Sequence, residues 1–287
     1  MIKTEEQKIK RHIVEQKAFA VFRHAFMLCA VFCLIAPFVI AFFVSLKTGS
    51  DVYSTRLFPK KLYWQNYWFV LKETTILQAF CNTILYLILP LGVGVITSAM
   101  ASYALSRLEW KGREFVFSIL FATVMIPGVV TLIPSYVMFA KVYNWVNTPL
   151  PLIIPGMFGG VMVMFYLRQF MLGLPKELEE AALIDGMNRG GIFFAIILPL
   201  CKPALIAQVV LSFSGFYNDL MGPLMYINTK PDLYTVQLVI NTLNTSYAKQ
   251  EEQVLAACFL ALLPTFVLFV AAQKYFIEGI AVTGIKG

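Results

Sequence analysis

Residues 76–104 read ILQAFCNTILYLILPLGVGVITSAMASYA and contain no charged side chain. At about 1.5 Å of rise per residue, a helix of this length crosses the roughly 30 Å hydrocarbon core of a bilayer. The stretch is therefore read as a membrane span. Five more runs share its character, at residues 25–46, 115–140, 149–167, 203–225 and 254–273. Hydrocarbon offers no water to backbone N–H and C=O groups, so each run must satisfy them internally. The runs are too long and too continuous for barrel strands. The predicted fold class is an all-α integral membrane bundle of six transmembrane helices, residues 25–287 forming one domain after a polar N-terminal segment, 1–24.

Composition points the same way. Hydrophobic residues make up 59% of the chain and charged residues 14%, against about 45–50% and 25% in soluble domains. The first apolar run follows about two dozen polar residues and is too long for a signal-peptide core, so it is read as an uncleaved span. Cys29 and Cys33 lie four apart on one helix face, a spacing that a metal could use. Small apolar side chains in a helix explain them. Cys81, Cys201 and Cys258 lie in or beside apolar runs, and no disulfide framework is evident. Pro37, Pro90, Pro127, Pro134, Pro155 and Pro264 fall within the runs, where each removes a donor and can kink its helix.

The formal net charge of +7 is read as topology rather than nucleic-acid binding, because Lys and Arg stay on the cytoplasmic side. Lys3, Lys8, Lys10, Arg11, Lys17, Arg23, Arg107, Lys111, Arg113, Arg168, Lys176, Arg189, Lys274 and Lys286 fall on one side of the bilayer. Lys47, Arg56, Lys60, Lys61, Lys72, Lys141, Lys230 and Lys249 fall on the other. The larger set predicts both termini in the cytoplasm. The outer segments 47–75 and 226–253 are long and polar or aromatic, suited to a partner or to ordered loops.

One inner segment breaks the apolar pattern. Residues 173–205 read GLPKELEEAALIDGMNRGGIFFAIILPLCKPAL. Pro175 suits a first helical turn, and Glu177, Glu179 and Glu180 favour the positive end of the helix dipole. Leu178, Ala181, Ala182 and Leu183 offer an apolar face, and Asp185-Gly186 permits a sharp turn. A second helix would follow and run into Pro199 and Pro203. The expectation is a helix, turn and helix on the cytoplasmic face, over about 174–200, with small residues that let another protein approach closely.

Glu180-Ala181-Ala182, Gly186, nine residues and then Ile196-x-Leu198-Pro199 resemble the "EAA" motif of permease subunits in binding-protein-dependent ABC importers. Leu174-Pro175, Glu177-Leu178, Asp185 and Pro203 are similar to that family too. The ending KYFIEGIAVTGIKG (274–287) and the stretch FYNDLMGPL (216–224) resemble its sugar-uptake, maltose-type branch, in particular the shorter second permease of the pair. Tyr217 stands where that branch often has Trp. The resemblance covers nearly the whole chain.

It implies a type I ABC importer permease fold in a bacterial inner membrane, working by alternating access. The EAA segment would be a coupling helix docked in a cleft of the ATPase. By motif position, Glu180, Ala181, Ala182, Asp185 and Gly186 would carry coupling. Glu180 would meet basic groups of the ATPase, the alanines would pack closely and Gly186 would make the turn. The plain alternative for Glu180 is a solvated charge at a helix start. No G-x-x-x-x-G-K-[S/T] occurs in the sequence, so ATP and Mg would be bound by partner subunits and no cofactor by this chain. The implied partners are a second permease in a heterodimer, two ATP-binding subunits, an extracytoplasmic solute-binding protein and the bilayer, with no nucleic acid.

For the substrate pathway, Asn218 and Asp219 are the main polar residues of the fifth run, and polar groups inside a membrane bundle are functional candidates. Tyr217 and Phe216 could face a sugar ring, and Asn82 is a further candidate. Helix–helix bonding or a place at the rim would explain Asn218 and Asp219 equally. A carbohydrate is the expected cargo. The basic outer loop (Lys47, Arg56, Lys60, Lys61 and Lys72 against Asp51 and Glu73) suits an acidic one such as a uronate or alginate oligomer, or an acidic binding protein. Two rivals remain. An ion-coupled secondary transporter would need mid-membrane ionisable groups, of which Asp219 is the one example, and ATP dependence of uptake separates it. A membrane scaffold would leave the coupling motif unexplained.

Overall fold

The computed structural model describes the backbone at residues 2–245 and 250–284, and side chains at residues 16, 17, 19–245 and 250–273. The side chains of the ending 274–287 lie outside the described residues. Among those described, every regular element is helical.

The chain enters through α1 (Ile2–Ser45), a single helix in which the polar N-terminal residues continue into the first span. Phe22, Phe26, Phe32, Leu34 and Phe38 face outward, where bilayer hydrocarbon is their solvent. At the far end lies α2 (Gln65–Glu73). The stretch that opened the sequence reading becomes α3 (Ile76–Ser106), a 31-residue helix that keeps Pro90 inside it.

The third apolar run differs from the expected continuous span. It is α4 (Arg113–Thr123) and α5 (Gly128–Val137), the latter prolonged by a π-helical turn at Met138–Val142. The two halves meet at 89°. Val124, Met125 and Ile126 donate three residues back in tight turns, and Pro127, lacking an N–H, begins the next helix.

The fourth run is α6 (Leu150–Met157) and α7 (Val161–Leu172), which together form one span. After it come α8 (Glu177–Ile184) and α9 (Arg189–Ile192). A π-helical turn at Phe193–Ile197 leads from α9 into α10 (Leu198–Leu200). The chain then turns 75° into α11 (Lys202–Tyr217). The fifth span is thus shorter than the 203–225 run: α11 stops at Tyr217, and α12 (Met221–Tyr226) is a separate helix. The long segments 47–75 and 226–253 carry short helices where described. A 3₁₀ turn at Pro231–Leu233 precedes α13 (Val236–Thr245), and α14 (Glu251–Gly284) returns across the bundle.

Four unbroken helices, or six with the two bent pairs, are long and apolar enough to cross a membrane. They pack through small residues. Gly94, Ser98, Ser102 and Ser106 recur every fourth position on α3 and are buried. Each serine hydroxyl donates to the carbonyl four residues back, at 2.6–2.7 Å. Ser102 also lies 2.8 Å from Met164 O, and the amide of Gly160 donates to Ser98 Oγ at 3.0 Å. With no hydroxyl left bare, α3 can lie directly on α6 and α7. A Cβ placed on Gly94 would sit 2.2 Å from Gly156 O.

Candidate coupling segment and polar pathway

Short helix α8 begins with the three acids of its first turn, Glu177, Glu179 and Glu180. It ends in a Schellman arrangement, with the Gly186 amide donating to Leu183 O at 3.1 Å and the Met187 amide to Ala182 O at 3.0 Å. Gly186 has φ +84°, and nothing lies within 4 Å of where its Cβ would be. Its glycine is required by backbone conformation, not by lack of room. Asn188 then caps α9, its Oδ1 accepting from the Gly191 amide at 2.7 Å.

The two sides of α8 differ. Glu179 and Ala182, one turn apart, are buried. Ala182 joins a core with Tyr103, Leu167, Met171, Ile192 and Phe193, so its close packing is against this chain's own bundle. Glu180, Ala181 and Ile184 lie on the other side and are exposed, as are Leu178 and Asp185 at its flanks. Ile184 is 87% exposed, an unusual value for a side chain of its size.

Glu179 is held by Arg107, the C-terminal cap of α3: Nε lies 3.3 Å from Oε1, with both side chains at least nine-tenths buried. The same guanidinium donates through Nη2 to Leu174 O at 2.7 Å and to Met171 O. The Tyr103 hydroxyl reaches Glu179 Oε2 at 3.5 Å. Beside this contact, a cleft of about 520 Å³ is lined by residues including Trp110, Lys176, Glu180 and Arg189. A second arginine, Arg168 of α7, grips Glu114 of α4 with Nη2 at 2.9 and 3.0 Å from its two oxygens. Its Nε donates to Leu105 O, and its guanidinium lies 4.1 Å from the Phe117 ring centre. The ends of α3 and α7, the start of α4 and the whole of α8 are thereby tied together.

Sequence reasoning treated Arg107 and Arg168 as topological charges and Glu179 as a first-turn acid. The one local signal was that Glu179 stands three residues before Ala182, on the side that turns inward. Ile184 was likewise not singled out.

The polar pathway candidates gather near the opposite end. Tyr217 is 1% exposed, stacks on Phe213 and donates its hydroxyl to Ala261 O at 2.7 Å, which fixes it as a helix-packing side chain. Asn218 ends α11, donating to Ser214 O at 2.9 Å and accepting from Gln237 Nε2 at 3.1 Å. Asp219 accepts from the Gly222 amide at 3.1 Å and so starts α12. Asn82 donates from Nδ2 to Asp232 O and Tyr234 O, at 2.8 and 3.0 Å. Phe216 and Asp219 share a cavity of about 30 Å³ with Thr83, Tyr86 and Thr235. That is room for about one water and too little for a sugar ring.

In the segment 47–75 Lys47 is 2% exposed, its ammonium donating to Arg56 O at 2.7 Å. Lys72 lies over the Trp68 ring. Of the basic set expected to draw an acidic ligand, Lys47 is sequestered, while Arg56, Lys60, Lys61 and Lys72 remain exposed.

Residues 91–282 match the family described as "Binding-protein-dependent transport system inner membrane component". The arabinooligosaccharides transport system permease protein of Halalkalibacterium halodurans is 34% identical over 230 residues, 80% of this chain and 81% of its own. A probable starch degradation products transport system permease protein of Thermoanaerobacterium thermosulfurigenes is 31% identical, over 88% of this chain and 92% of its own. The melibiose/raffinose/stachyose import permease protein of Bacillus subtilis is 30% identical, over 92% and 94%. In solved structures, the fold is shared with a chain of a bacterial ABC transporter involved in the import of the acidic polysaccharide alginate. The TM-score is 0.80 at 20% identity, covering 91% of this chain and 97% of the other.

Proposed function

The chain belongs to the family of inner membrane components of binding-protein-dependent transport systems, and from that premise we propose that it is one permease half of an ATP-driven oligosaccharide importer. Relatives named for arabinooligosaccharides, starch degradation products and raffinose-type sugars support the cargo class. The observation that carries the mechanism is α8, a short helix at the basic end of an apolar bundle, with its outward face unused by the chain itself. That end faces the cytoplasm, with both termini. Two ATPase subunits bind α8 and its counterpart on a second permease, and a solute-binding protein docks on the opposite end.

Ala181, Glu180, Asp185 and Ile184 form the docking face. Ala182 and Gly186 shape it from behind, Ala182 by packing inward and Gly186 by its left-handed turn. Phe216, Asn218 and Asp219 lie where the cargo would pass once the bundle opens, and Asn82 shapes that region by holding the loop around 232–234. The four exposed cations of the outer segment 47–75 keep an acidic oligosaccharide among the cargoes to be tried.

The test is reconstitution of the full complex in liposomes, with ATP hydrolysis and uptake measured over a panel of neutral and acidic oligosaccharides. Uptake that requires ATP and binding protein supports the reading, and the stimulating sugar names the cargo. Uptake driven by an ion gradient without ATP overturns it. A second arm uses Gly186. Asn tolerates φ > 0 whereas a β-branched residue does not. Gly186→Asn is therefore expected to keep most stimulated hydrolysis, while Gly186→Val, straining the turn by about 1–2 kcal/mol, loses most of it. Equal activity of the two would show that the turn does not matter for coupling.

A further inference from the structure

α8 touches the bundle through few groups of its own. Of its eight residues only Glu179 and Ala182 are buried. Ala182 contributes one methyl to the core, so Glu179 is the long side chain by which α8 grips another helix. It pairs with Arg107 as an ion pair at 3.3 Å, and neither Arg107 Nε nor Glu179 Oε1 makes a hydrogen bond among the described residues. Arg107 in turn closes α3, its own amide donating to Tyr103 O at 2.9 Å. It also holds the carbonyls of Met171 and Leu174, on either side of the exit from α7.

The other end of α3 is gripped as specifically. Gln78 and Asn82 donate to Asp232 O at 2.9 and 2.8 Å, Asn82 also to Tyr234 O, and Tyr86 to Leu233 O at 3.3 Å. The Val236 amide donates to Thr83 Oγ1 at 3.0 Å. Asn82 and Arg107 are separated by about 37 Å of helix at 1.5 Å per residue. Along that length α3 lies against α6 and α7 through its small-residue face. A close-packed helix moves as a body rather than stretching. A displacement of α8 would thus reach the segment 232–236 beside the polar pathway through the Arg107–Glu179 ion pair, helped by the Tyr103–Glu179 hydrogen bond and the packing of Ala182 on Tyr103.

We propose that Arg107 and Glu179 are positioning residues that transmit the movement of α8 to α3, and through α3 to the loop before α13. This rests on α8 being the docking element for the ATPase. The pair acts by holding one helix to another, and it touches neither ATP nor cargo. It differs from the docking face because both of its side chains point into the bundle. Coupling is read directly, as the change in one site's response when the contact between them is altered.

The experiment uses the whole complex with binding protein, comparing Glu179→Gln, Glu179→Asp, Arg107→Gln and the double variant Arg107→Gln/Glu179→Gln. The readouts are co-purification of the ATPase subunits, hydrolysis without binding protein, and the stimulation ratio when binding protein and cargo are added. Glu179→Gln is expected to retain the ATPase subunits and its unstimulated hydrolysis, while its stimulation ratio falls about tenfold, within the usual range of coupling between sites. Glu179→Asp, which keeps the charge, retains most of the stimulation. The double variant loses no more than the worse single one, as expected for two residues acting through one contact.

A stimulation ratio within about twofold of the parent in Glu179→Gln, well short of the tenfold expected of coupling between sites, overturns the proposal. So do losses that multiply in the double variant, an Asp variant as defective as Gln, or loss of the ATPase subunits. Ile184→Asp is run alongside. If it loses the ATPase while Glu179→Gln is normal, transmission through the pair is wrong and the docking reading stands. If Ile184→Asp also behaves like the parent, the docking reading itself fails.

Discussion

Replacing Ile184 with aspartate is expected to detach the ATPase subunits from this chain while leaving the chain itself as stable as before. Ile184 is 87% exposed, so the folded bundle gains almost nothing from its side chain, and surface changes of this kind stay within about 0.5 kcal/mol. An isoleucine buried in a partner's cleft contributes about 1.5–3 kcal/mol, and such anchors dominate interface energetics. A loss of about 2 kcal/mol weakens association roughly 30-fold, and the unpaired carboxylate adds to it. Ile184→Ala should show a smaller drop, near tenfold for about 1.5 kcal/mol. Affinity for the purified ATPase, measured beside the thermal midpoint of the isolated permease, checks both halves of the expectation. Unchanged affinity would mean that the partner sits elsewhere.

The largest effect on stability is expected at Gly94. A Cβ there would stand 2.2 Å from the carbonyl oxygen of Gly156, a backbone atom that cannot swing aside. Gly94→Leu must separate α3 from α6 and so open the tightest contact of the bundle. Overpacking of this kind costs about 3 kcal/mol or more where the neighbour is backbone. Gly92 supplies the control: it lies two residues away on the same helix, exposed, with nothing within 4 Å of its Cβ position. Gly92→Leu should be neutral or stabilising by up to about 1 kcal/mol, the helix cost of glycine. Thermal unfolding of the two variants in detergent should differ sharply, and similar midpoints would contradict the close approach of α3 and α6.

The membrane class was legible in the sequence, because a charge-free run of helical length has one solvent that suits it, and composition and length are local properties. So was the turn at Gly186, since Asp-Gly after a short amphipathic run is a statement about adjacent dihedral angles. The bends were less legible. Pro37, Pro90 and Pro264 all stay inside helices, whereas Pro127 stands at an 89° break. Each removes the same donor, so the difference lies in what surrounds it. Among the pathway candidates, Tyr217 and Asn82 carry the polarity expected of them, but their hydrogen bonds hold other parts of the chain.

By itself the sequence determined that this chain is a multi-pass helical permease with a short helix between its fourth and fifth spans. Periodicity, composition and a contiguous motif carry that information within a few residues of each other. Only the tertiary structure decided which side of α8 faces outward, that Glu179 rather than Glu180 is buried, and that its partner is Arg107. It also decided that Lys47 is sequestered and that Gly94 meets Gly156. These are pairings between residues far apart in the chain. Their energies arise from burial and close contact, and neither exists until the helices have packed.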